Sequence, residues 1–281
     1  MKVSKQKNKF LHASSWWKYL LSAVIVAIYL LPIYAIIVIS LKPVTDHTSR
    51  LLLPKALYFD NYIKVINSGG LLNAIKNTAL ITVVSTSLEV FIGCMASYPL
   101  ARNKSRMNKF IKMLILGVMM IPPLSIVVGV YSTLVSMNAI STYWGIIIVI
   151  TAFGLPQAIF LYSNFMASIP VSLDEAATVD GASIMQTFLY VILPQLKPVT
   201  VTVIILKSVA AWNEYSYSRY ILQTTDMYNV TLTIKQYFSE MQSDLNAAAA
   251  AAVLAIAPVI VVYLFLQRYF IQGEMDGAVK G

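Results

Sequence analysis

The stretch DEAATVDGAS (residues 174–183) concentrates negative charge in a chain that carries little charge of any kind. Asp174, Glu175 and Asp180 are three of only 12 acidic residues, and long apolar segments lie on both sides of them. Residues 113–196 contain no lysine or arginine, so these carboxylates have no basic neighbour close in sequence. The stretch is therefore a polar element between apolar ones, and the flanking segments decide the fold.

The composition indicates an integral membrane protein. Charged residues make up 12% of the 281 positions and apolar residues 58%, and the mean hydropathy is +0.71. A soluble domain carries about 25% charged residues, so a soluble fold of this length would lack polar surface. The net charge is +9, and the basic residues that produce it lie at the edges of apolar segments, which favours a membrane over nucleic acid as the partner. The single cysteine, Cys94, excludes an intrachain disulfide, and the isolated His12 and His47 indicate no metal site.

Six apolar segments are long enough to cross a hydrocarbon core about 30 Å thick at a rise of about 1.5 Å per residue. The first is too long for the apolar region of a cleaved signal peptide. None shows the alternating pattern of a transmembrane β-barrel. The sequence therefore predicts an all-α integral membrane protein with six transmembrane helices. These helices are expected at residues 19–41, 78–100, 110–134, 143–166, 198–220 and 247–266.

The distribution of lysine and arginine predicts the orientation. The amino-terminal tail, residues 1–18, has five lysines and no acid, and residues 101–112 have five further cations and no acid. The side that holds both termini has 13 basic residues, against seven on the other side. We therefore expect two cytoplasmic tails, residues 1–18 and 271–281, around a membrane domain at residues 19–270. The loop at about 167–197, which contains the acidic stretch, is then also cytoplasmic.

This loop, which we call the acidic loop, contains the start and stop signals of two short helices. Ser172 and Glu175 have the spacing of a capping box, and Gly181 can adopt the positive φ that ends a helix. A second box begins at Ser183 and opens a helix at residues 185–193, which Pro194 ends. The prediction is a helix, a glycine corner and a second helix.

An ordered loop of this length favours a docking element, although a plain connector between two spans is the alternative. The small side chains of Ala176 and Ala177 allow close approach, and Glu175 offers a charge to a basic partner.

The segment EAATVDGASIMQTFLYVILP (residues 175–194) resembles the signature of permease subunits of ATP-binding cassette importers. That signature is Glu-Ala-Ala, three residues, glycine, nine residues and Ile-x-Leu-Pro, and this chain departs from it only at Val191, which replaces the isoleucine. The resemblance extends over nearly the whole chain and is to the carbohydrate-uptake branch, similar to the smaller permease of maltose-type importers. Three other segments show the resemblance: NTALITVVSTSLEVFIGCMASYPLAR (residues 77–102), AWNEY (211–215) and the ending DGAVKG (276–281).

The resemblance implies that the acidic loop is a coupling loop, bound in a cleft of a separate ATP-hydrolysing subunit. ATP binding closes two such subunits, which opens the transmembrane cavity outward to receive sugar from an external binding protein. The coupling residues implied are Glu175, Ala176, Ala177, Gly181, Leu193 and Pro194. The resemblance further implies a tail that reaches between the ATPase subunits, with a frayed terminus as the alternative. The tail residues are Gly277, Ala278, Val279, Lys280 and Gly281.

The implied assembly contains a sibling permease in a heterodimer, two ATP-hydrolysing subunits and an extracytoplasmic solute-binding protein, in the lipid of a prokaryotic plasma or inner membrane. The chain itself has no phosphate-binding glycine loop, catalytic triad or zinc motif, so we expect no enzymatic activity and no cofactor. ATP and Mg are expected on the partner ATPase, the substrate is expected to be a di- or oligosaccharide, and no nucleic acid is involved. The alternatives are peptide or polyamine cargo on the same fold, and a secondary transporter, which intramembrane carboxylates and inverted repeats would favour.

Polar residues within the predicted spans are the candidates for a substrate pathway. An ionisable group at mid-membrane is costly, so Glu89 is a functional hypothesis by default. A structural partnership with Ser85, Ser87 or another helix is the alternative, and Lys207 has the same alternative of structural pairing. The full set of candidates is Glu89, Asn164, Lys207, Asn213 and Glu214.

Overall fold

The computed structural model describes residues 16–68, 70–240 and 244–278 of the chain. All regular secondary structure in these ranges is helical, which confirms the predicted all-α class. The amino-terminal residues 1–15 and the predicted tail residues Val279, Lys280 and Gly281 lie outside the described residues.

Thirteen α-helices are present in these ranges, with 3-10 turns at Pro123–Ile126 and Thr225–Met227 and a π-helical turn at Thr187–Ile192. The helices are α1 (Trp16–Ser40), α2 (Asp60–Asn67), α3 (Gly70–Arg102), α4 (Arg106–Met119), α5 (Val127–Ser136), α6 (Tyr143–Ser168), α7 (Ser172–Val179), α8 (Ile184–Gln186), α9 (Leu193–Gln195), α10 (Lys197–Trp212), α11 (Ser218–Ile221), α12 (Val230–Glu240) and α13 (Leu245–Ala278).

Four continuous helices are long and apolar enough to cross a membrane: α1, α3, α6 and the Leu245–Phe265 part of α13. Two bent pairs pass the same criterion together. Arg106–Met119 and Pro123–Ser136 meet at 94°, and Ile184–Gln195 and Lys197–Trp212 meet at 73°. The described residues therefore provide four spans, or six if each bent pair is one span, as the sequence predicted.

The third predicted span, residues 110–134, is wrong as a continuous helix. Helix α4 ends at Met119, and the chain bends by 94° before the next helical residues. Pro122 and Pro123 explain the break, because proline has no amide to donate and its ring clashes with the preceding helical turn. Averaged hydropathy does not register such a break.

The fifth predicted span, residues 198–220, also needs correction because α10 ends at Trp212. Asn213 and Glu214 therefore follow the helix rather than interrupt it. The Glu214 carboxylate accepts hydrogen bonds from the amides of Tyr217 (2.7 Å) and Ser218 (2.9 Å) at the start of the short helix α11.

The described residues divide into two compact units. The first contains α1, α2 and the start of α13, and its polar contacts lie around the carbonyl end of α1. Asn61 donates to the carbonyls of Ser40 and Lys42, both at 2.8 Å, and Asn246 donates to the carbonyls of Ile39 (3.1 Å) and Lys42 (2.7 Å). These amides satisfy carbonyls that a helix end leaves without a partner.

The second unit contains α3 to α11, the first part of α12 and the later part of α13. Gly93 of α3 allows close approach to α6, because a Cβ at this position would lie 3.0 Å from the Cβ of Ala158. One apolar cluster of this unit joins the interior of α6 to the acidic loop. Its fully buried members include Tyr162, Met166, Ile192 and Leu196. This cluster fixes the base of the acidic loop to the spans.

Candidate functional site

Helix α7 ends in the glycine corner that the sequence predicts. Gly181 has a φ of +82°, and no heavy atom lies within 4 Å of the position that a Cβ would take. The Gly181 amide donates to the Thr178 carbonyl (3.0 Å), and the Ala182 amide donates to the Ala177 carbonyl (2.9 Å). These two bonds form a Schellman motif, which gives α7 a defined end and direction.

The beginning of α7 differs from the prediction. The Glu175 amide donates to the Val171 carbonyl at 3.1 Å, and the Ser172 side chain does not cap the helix. Val171 already has helical dihedral angles, so Ser172 lies inside the first turn, one position too late to act as the N-cap. The predicted box at Ser172 is therefore wrong.

The second box is confirmed, but the helix that follows it is not regular. The Ser183 amide donates to Gln186 Oε1 (2.8 Å), and the Gln186 amide donates to Ser183 Oγ (3.4 Å). The chain then continues through the π-helical turn into α9, so Pro194 does not end the helical segment. Pro194 occupies the first turn of α9, where a missing amide is tolerated, and the wider π turn directly precedes it.

The outer face of the acidic loop is exposed and largely apolar. Glu175 and Ala176 are exposed on α7, and Val179 is 88% exposed. Ile184 is 78% exposed and Tyr190 is 76% exposed in the second half of the loop. Val179 lies outside the candidate spans, where a large exposed apolar side chain is typical of a protein-interaction surface, whereas Ile184 and Tyr190 belong to the Ile184–Gln195 arm of a bent candidate span.

The six predicted coupling residues do not all lie on this outer face. Ala177 is buried within the chain, at 8% exposure, so it presents little surface to another protein, and its coupling role stays a prediction. Its place one helical turn after Asp174 puts both residues on the inner face of α7. Leu193 and Pro194 are exposed at the base of the loop. Of the two alanines, only Ala176 is available to another protein, and Gly181 is exposed as well.

The three carboxylates of the acidic loop have different environments. Asp174 forms an ion pair with Arg102, with 2.8 Å between Oδ2 and Nη2, and accepts a hydrogen bond from the Tyr98 hydroxyl at 2.7 Å. Glu175 and Asp180 are exposed and form no ion pair with the described residues. The sequence prediction missed the Arg102 and Tyr98 contacts, for which the only signal is a cation and a phenol near the end of the second predicted span.

Among the candidate pathway residues, the contacts join Glu89 and Lys207. Lys207 Nζ lies 3.9 Å from Glu89 Oε2 and donates to Gln157 Oε1 at 2.8 Å, so the group links α3, α6 and α10. The Glu89 carboxylate packs against Gly154, where a Cβ would lie 2.2 Å from Oε1. Of the structural partners considered for Glu89, the structure has another helix, because Lys207 lies on α10, whereas Ser85 Oγ donates to the Ile81 carbonyl at 2.7 Å.

The other three candidates lie apart from this pair. Asn164 is exposed on α6 and borders a small cavity of about 100 Å³ together with Lys112. The Asn213 side chain donates to the Val209 carbonyl of α10 at 2.8 Å, and the Glu214 carboxylate accepts from the amides of Tyr217 and Ser218. A role for the five residues in one substrate pathway stays a prediction.

A cavity of about 600 Å³ lies between α3, α10 and the 258–263 part of α13. Its lining is mostly apolar, and the buried hydroxyls of Thr82 and Thr86 on its α3 side have no hydrogen-bond partner among the described residues. Trp212 lies at one edge, with its indole N–H donating to the Ala255 carbonyl at 3.2 Å. Within the described ranges, no three histidine, cysteine or acidic residues form a metal site.

The described helices have the length and apolar composition of a multi-span membrane protein, and the acidic loop is a polar segment between them. Residues 89–274 match the family model described as "Binding-protein-dependent transport system inner membrane component". The chain belongs to this family.

Sequence relatives and solved structures agree with this assignment. The chain is 36% identical to the melibiose/raffinose/stachyose import permease protein of Bacillus subtilis over 93% of this chain and 95% of the relative. It is 31% identical to a probable starch degradation products transport system permease protein of Thermoanaerobacterium thermosulfurigenes, over 96% and 98% of the two chains. A chain of the crystal structure of a bacterial ABC transporter involved in alginate import has the same fold, with a TM-score of 0.78 at 22% identity over 96% of this chain and 100% of that one.

Proposed function

We propose that this chain is one permease subunit of an ATP-driven, binding-protein-dependent oligosaccharide importer, and that its acidic loop follows the movement of a separate subunit that binds and hydrolyses ATP. The observation that carries this proposal is the ordered helix α7. A Schellman motif ends it, and the apolar side chain of Val179 is exposed on its surface. A connector between two spans needs no such surface.

The exposed residues define what the partner ATPase surface must offer. Glu175 presents a carboxylate that forms no ion pair with the described residues, in the first turn of α7, and a basic side chain on the partner would bind it by a charge-assisted hydrogen bond. Ala176 and Val179 provide a small and an apolar contact beside it. In this proposal Ala177 supports α7 from within, and Leu193 and Pro194 hold the base of the loop.

The assembly in this proposal has a sibling permease, two ATP-hydrolysing subunits that bind ATP and Mg, and an extracytoplasmic solute-binding protein in a prokaryotic plasma membrane. One solved importer of the same fold is described as bound to an alginate-pentasaccharide-bound periplasmic protein, which supports a binding-protein partner. Both termini of this chain are then cytoplasmic, and the end of α13, at Gly277 and Ala278, leads to a tail that meets the ATPase subunits.

The proposed substrate class is the oligosaccharides. The relatives are described as permeases for melibiose, raffinose and stachyose, for starch degradation products and for multiple sugars. These names have sugars in common, which favours a sugar over a peptide or a polyamine as the cargo of this chain.

The test uses the reconstituted complex with its binding protein, and it measures sugar uptake together with ATP hydrolysis. Glu175→Lys places a positive charge where a basic partner binds, and Gly181→Val puts a β-branched residue at a φ of +82°. Both variants are expected to reach the membrane at normal levels and to lose binding-protein-stimulated ATPase and uptake. Ala182→Ser is the control, since its amide keeps the Schellman bond. Normal stimulated uptake in both variants would leave the acidic loop as a connector only.

The same reconstituted complex tests the cargo. Raffinose-loaded binding protein is expected to stimulate ATP hydrolysis, while a dipeptide or putrescine is expected to have no effect. Stimulation by either of the latter compounds, without stimulation by a sugar, would overturn the substrate class and leave the coupling role intact.

A further inference from the structure

The carboxyl-terminal turn of α3 contacts both halves of the acidic loop. On the first half, Asp174 forms an ion pair with Arg102 (2.8 Å) and accepts a hydrogen bond from the Tyr98 hydroxyl (2.7 Å). On the second half, the Tyr98 ring lies against the ring of Phe188, with 5.1 Å between centroids and an angle of 44°. Phe188 is buried, so this contact lies inside the loop's apolar base. One helix end therefore fixes the position of two separate parts of the loop.

Arg102 also binds the end of a second span. Its Nη1 donates to the carbonyls of Met166 (3.1 Å) and Ile169 (2.9 Å), which lie at the carboxyl-terminal end of α6. The guanidinium group thus joins the carbonyl ends of α3 and α6 to the amino-terminal turn of α7. This arrangement matches the helix dipoles, since cations are favoured at carbonyl ends and anions at amino-terminal ends. The planar, multi-donor guanidinium is the side chain suited to several acceptors at once.

The contact is sheltered from solvent and is the only ionic tie between the acidic loop and the spans among the described residues. The side chains of Arg102 and Asp174 are 13% and 16% exposed, so salt screens the pair less than it would screen a surface pair. Glu175 and Val179, on the outer face of α7, belong to the same short helix. A displacement imposed on that face moves Asp174 with it.

We propose that Tyr98, Arg102 and Asp174 form a latch that transmits movement of the acidic loop to α3. Helix α3 carries Glu89 of the buried ion pair and one wall of the 600 Å³ cavity, so its displacement changes the membrane-embedded part of the protein. These three residues act as positioning residues, and the inference rests on the proposed coupling function. Without the latch, the loop can follow the ATPase while α3 stays behind, so ATP is hydrolysed with less transport.

The experiment measures the number of ATP molecules hydrolysed per sugar transported in vesicles that contain the complete complex and loaded binding protein. Asp174→Asn removes the charge at constant shape and is expected to raise this ratio about tenfold, because the partly sheltered ion pair with Arg102 is lost. Tyr98→Phe keeps the ring contact with Phe188, removes one hydrogen bond and is expected to raise the ratio about threefold. Arg102→Lys keeps the positive charge but loses the planar guanidinium, which can bind several acceptors at once. Its ratio should therefore lie between those of the wild type and Asp174→Asn.

Asp180→Asn is the matched control, because it makes the same chemical change in the same loop at an exposed carboxylate without an ion pair, and its ratio should equal that of the wild type. A parallel fall of uptake and ATPase in Asp174→Asn, with an unchanged ratio, would assign the ion pair to loop stability alone and overturn the latch.

If Asp174→Asn fails to assemble, Tyr98→Phe decides: an unchanged ratio there also overturns it. Loss of stimulated ATPase in Glu175→Lys beside a wild-type ratio in Asp174→Asn would reject the latch and keep the proposed function. Full coupled uptake in Glu175→Lys would reject the proposed function itself.

Discussion

The buried pair of Glu89 and Lys207 should behave as one unit whose halves cannot be removed singly. Their side chains are 2% and 5% exposed, and 3.9 Å separates the carboxylate from the ammonium group. Lys207→Met deletes the cation and leaves the carboxylate against Gly154 without a counter-charge. Removing one partner of a buried pair costs about 3–5 kcal/mol, whereas replacing both by apolar side chains is often nearly neutral.

The separation in this protein exceeds hydrogen-bond length, so we expect the lower end of that range, about 3 kcal/mol for Lys207→Met. One kcal/mol changes the melting temperature of a domain of this size by about 2–4 °C, so the single variant should melt about 6–12 °C below the wild type. The double variant Glu89→Leu/Lys207→Met should recover most of this loss, to within about 4 °C of the wild type. The measurement is the fraction of detergent-solubilised protein that stays monodisperse in size-exclusion chromatography after heating.

Leu206→Met is the control, because Leu206 lies next to Lys207 on the exposed side of α10 and this swap conserves side-chain volume. It should leave the melting temperature near that of the wild type. A double variant that melts below Lys207→Met would show that each residue contributes independently. That result would refute the argument that the two charges compensate each other within the three-helix packing.

Three further predictions follow from single positions. Gly154→Ala should lower the melting temperature, since the new Cβ would lie 2.2 Å from a carboxylate oxygen of the buried pair; Gly129→Ala, with open space around it, should not. In a cysteine-free background, Asn138→Cys should react with an impermeant thiol reagent applied to intact cells and Lys104→Cys should not; the reverse pattern would invert the predicted orientation. Val179→Asp changes a side chain that is 88% exposed, so the chain's own stability should be unchanged while co-purification of the ATPase subunit falls.

Local spacing predicted the parts of the acidic loop that depend on neighbouring residues. Gly181 adopts positive φ because α7 needs a left-handed residue at its end, and the Ser183 box forms because its two partners are three residues apart. The predicted N-cap at Ser172 was wrong by one position, because Val171 already has helical dihedral angles. Such a shift depends on how the chain leaves α6, which the loop sequence does not encode.

Span existence was likewise predictable from hydropathy, and span continuity was not. A run of apolar residues is equally hydrophobic whether it is straight or bent, so residues 110–134 appeared as one helix despite Pro122 and Pro123. Burial on α7 was also hidden, since a helix of eight residues with several small side chains has no strong apolar face. The inner position of Ala177 became clear only from the contact that Asp174 makes one turn earlier.

The ion pairs explain why the acidic stretch could be noticed from the sequence but not resolved into separate roles. Glu89 and Lys207 pair across α3 and α10, and Arg102 pairs with Asp174 across the chain, so distance along the sequence gives no sign of either pair. A membrane protein with few charges nevertheless has to compensate those it buries. In the acidic loop this requirement is met by Asp174, whereas Glu175 and Asp180 are exposed and form no ion pair with the described residues. A carboxylate that the fold does not need is free to bind another protein, and Glu175, beside the exposed Val179, is the one best placed to do so.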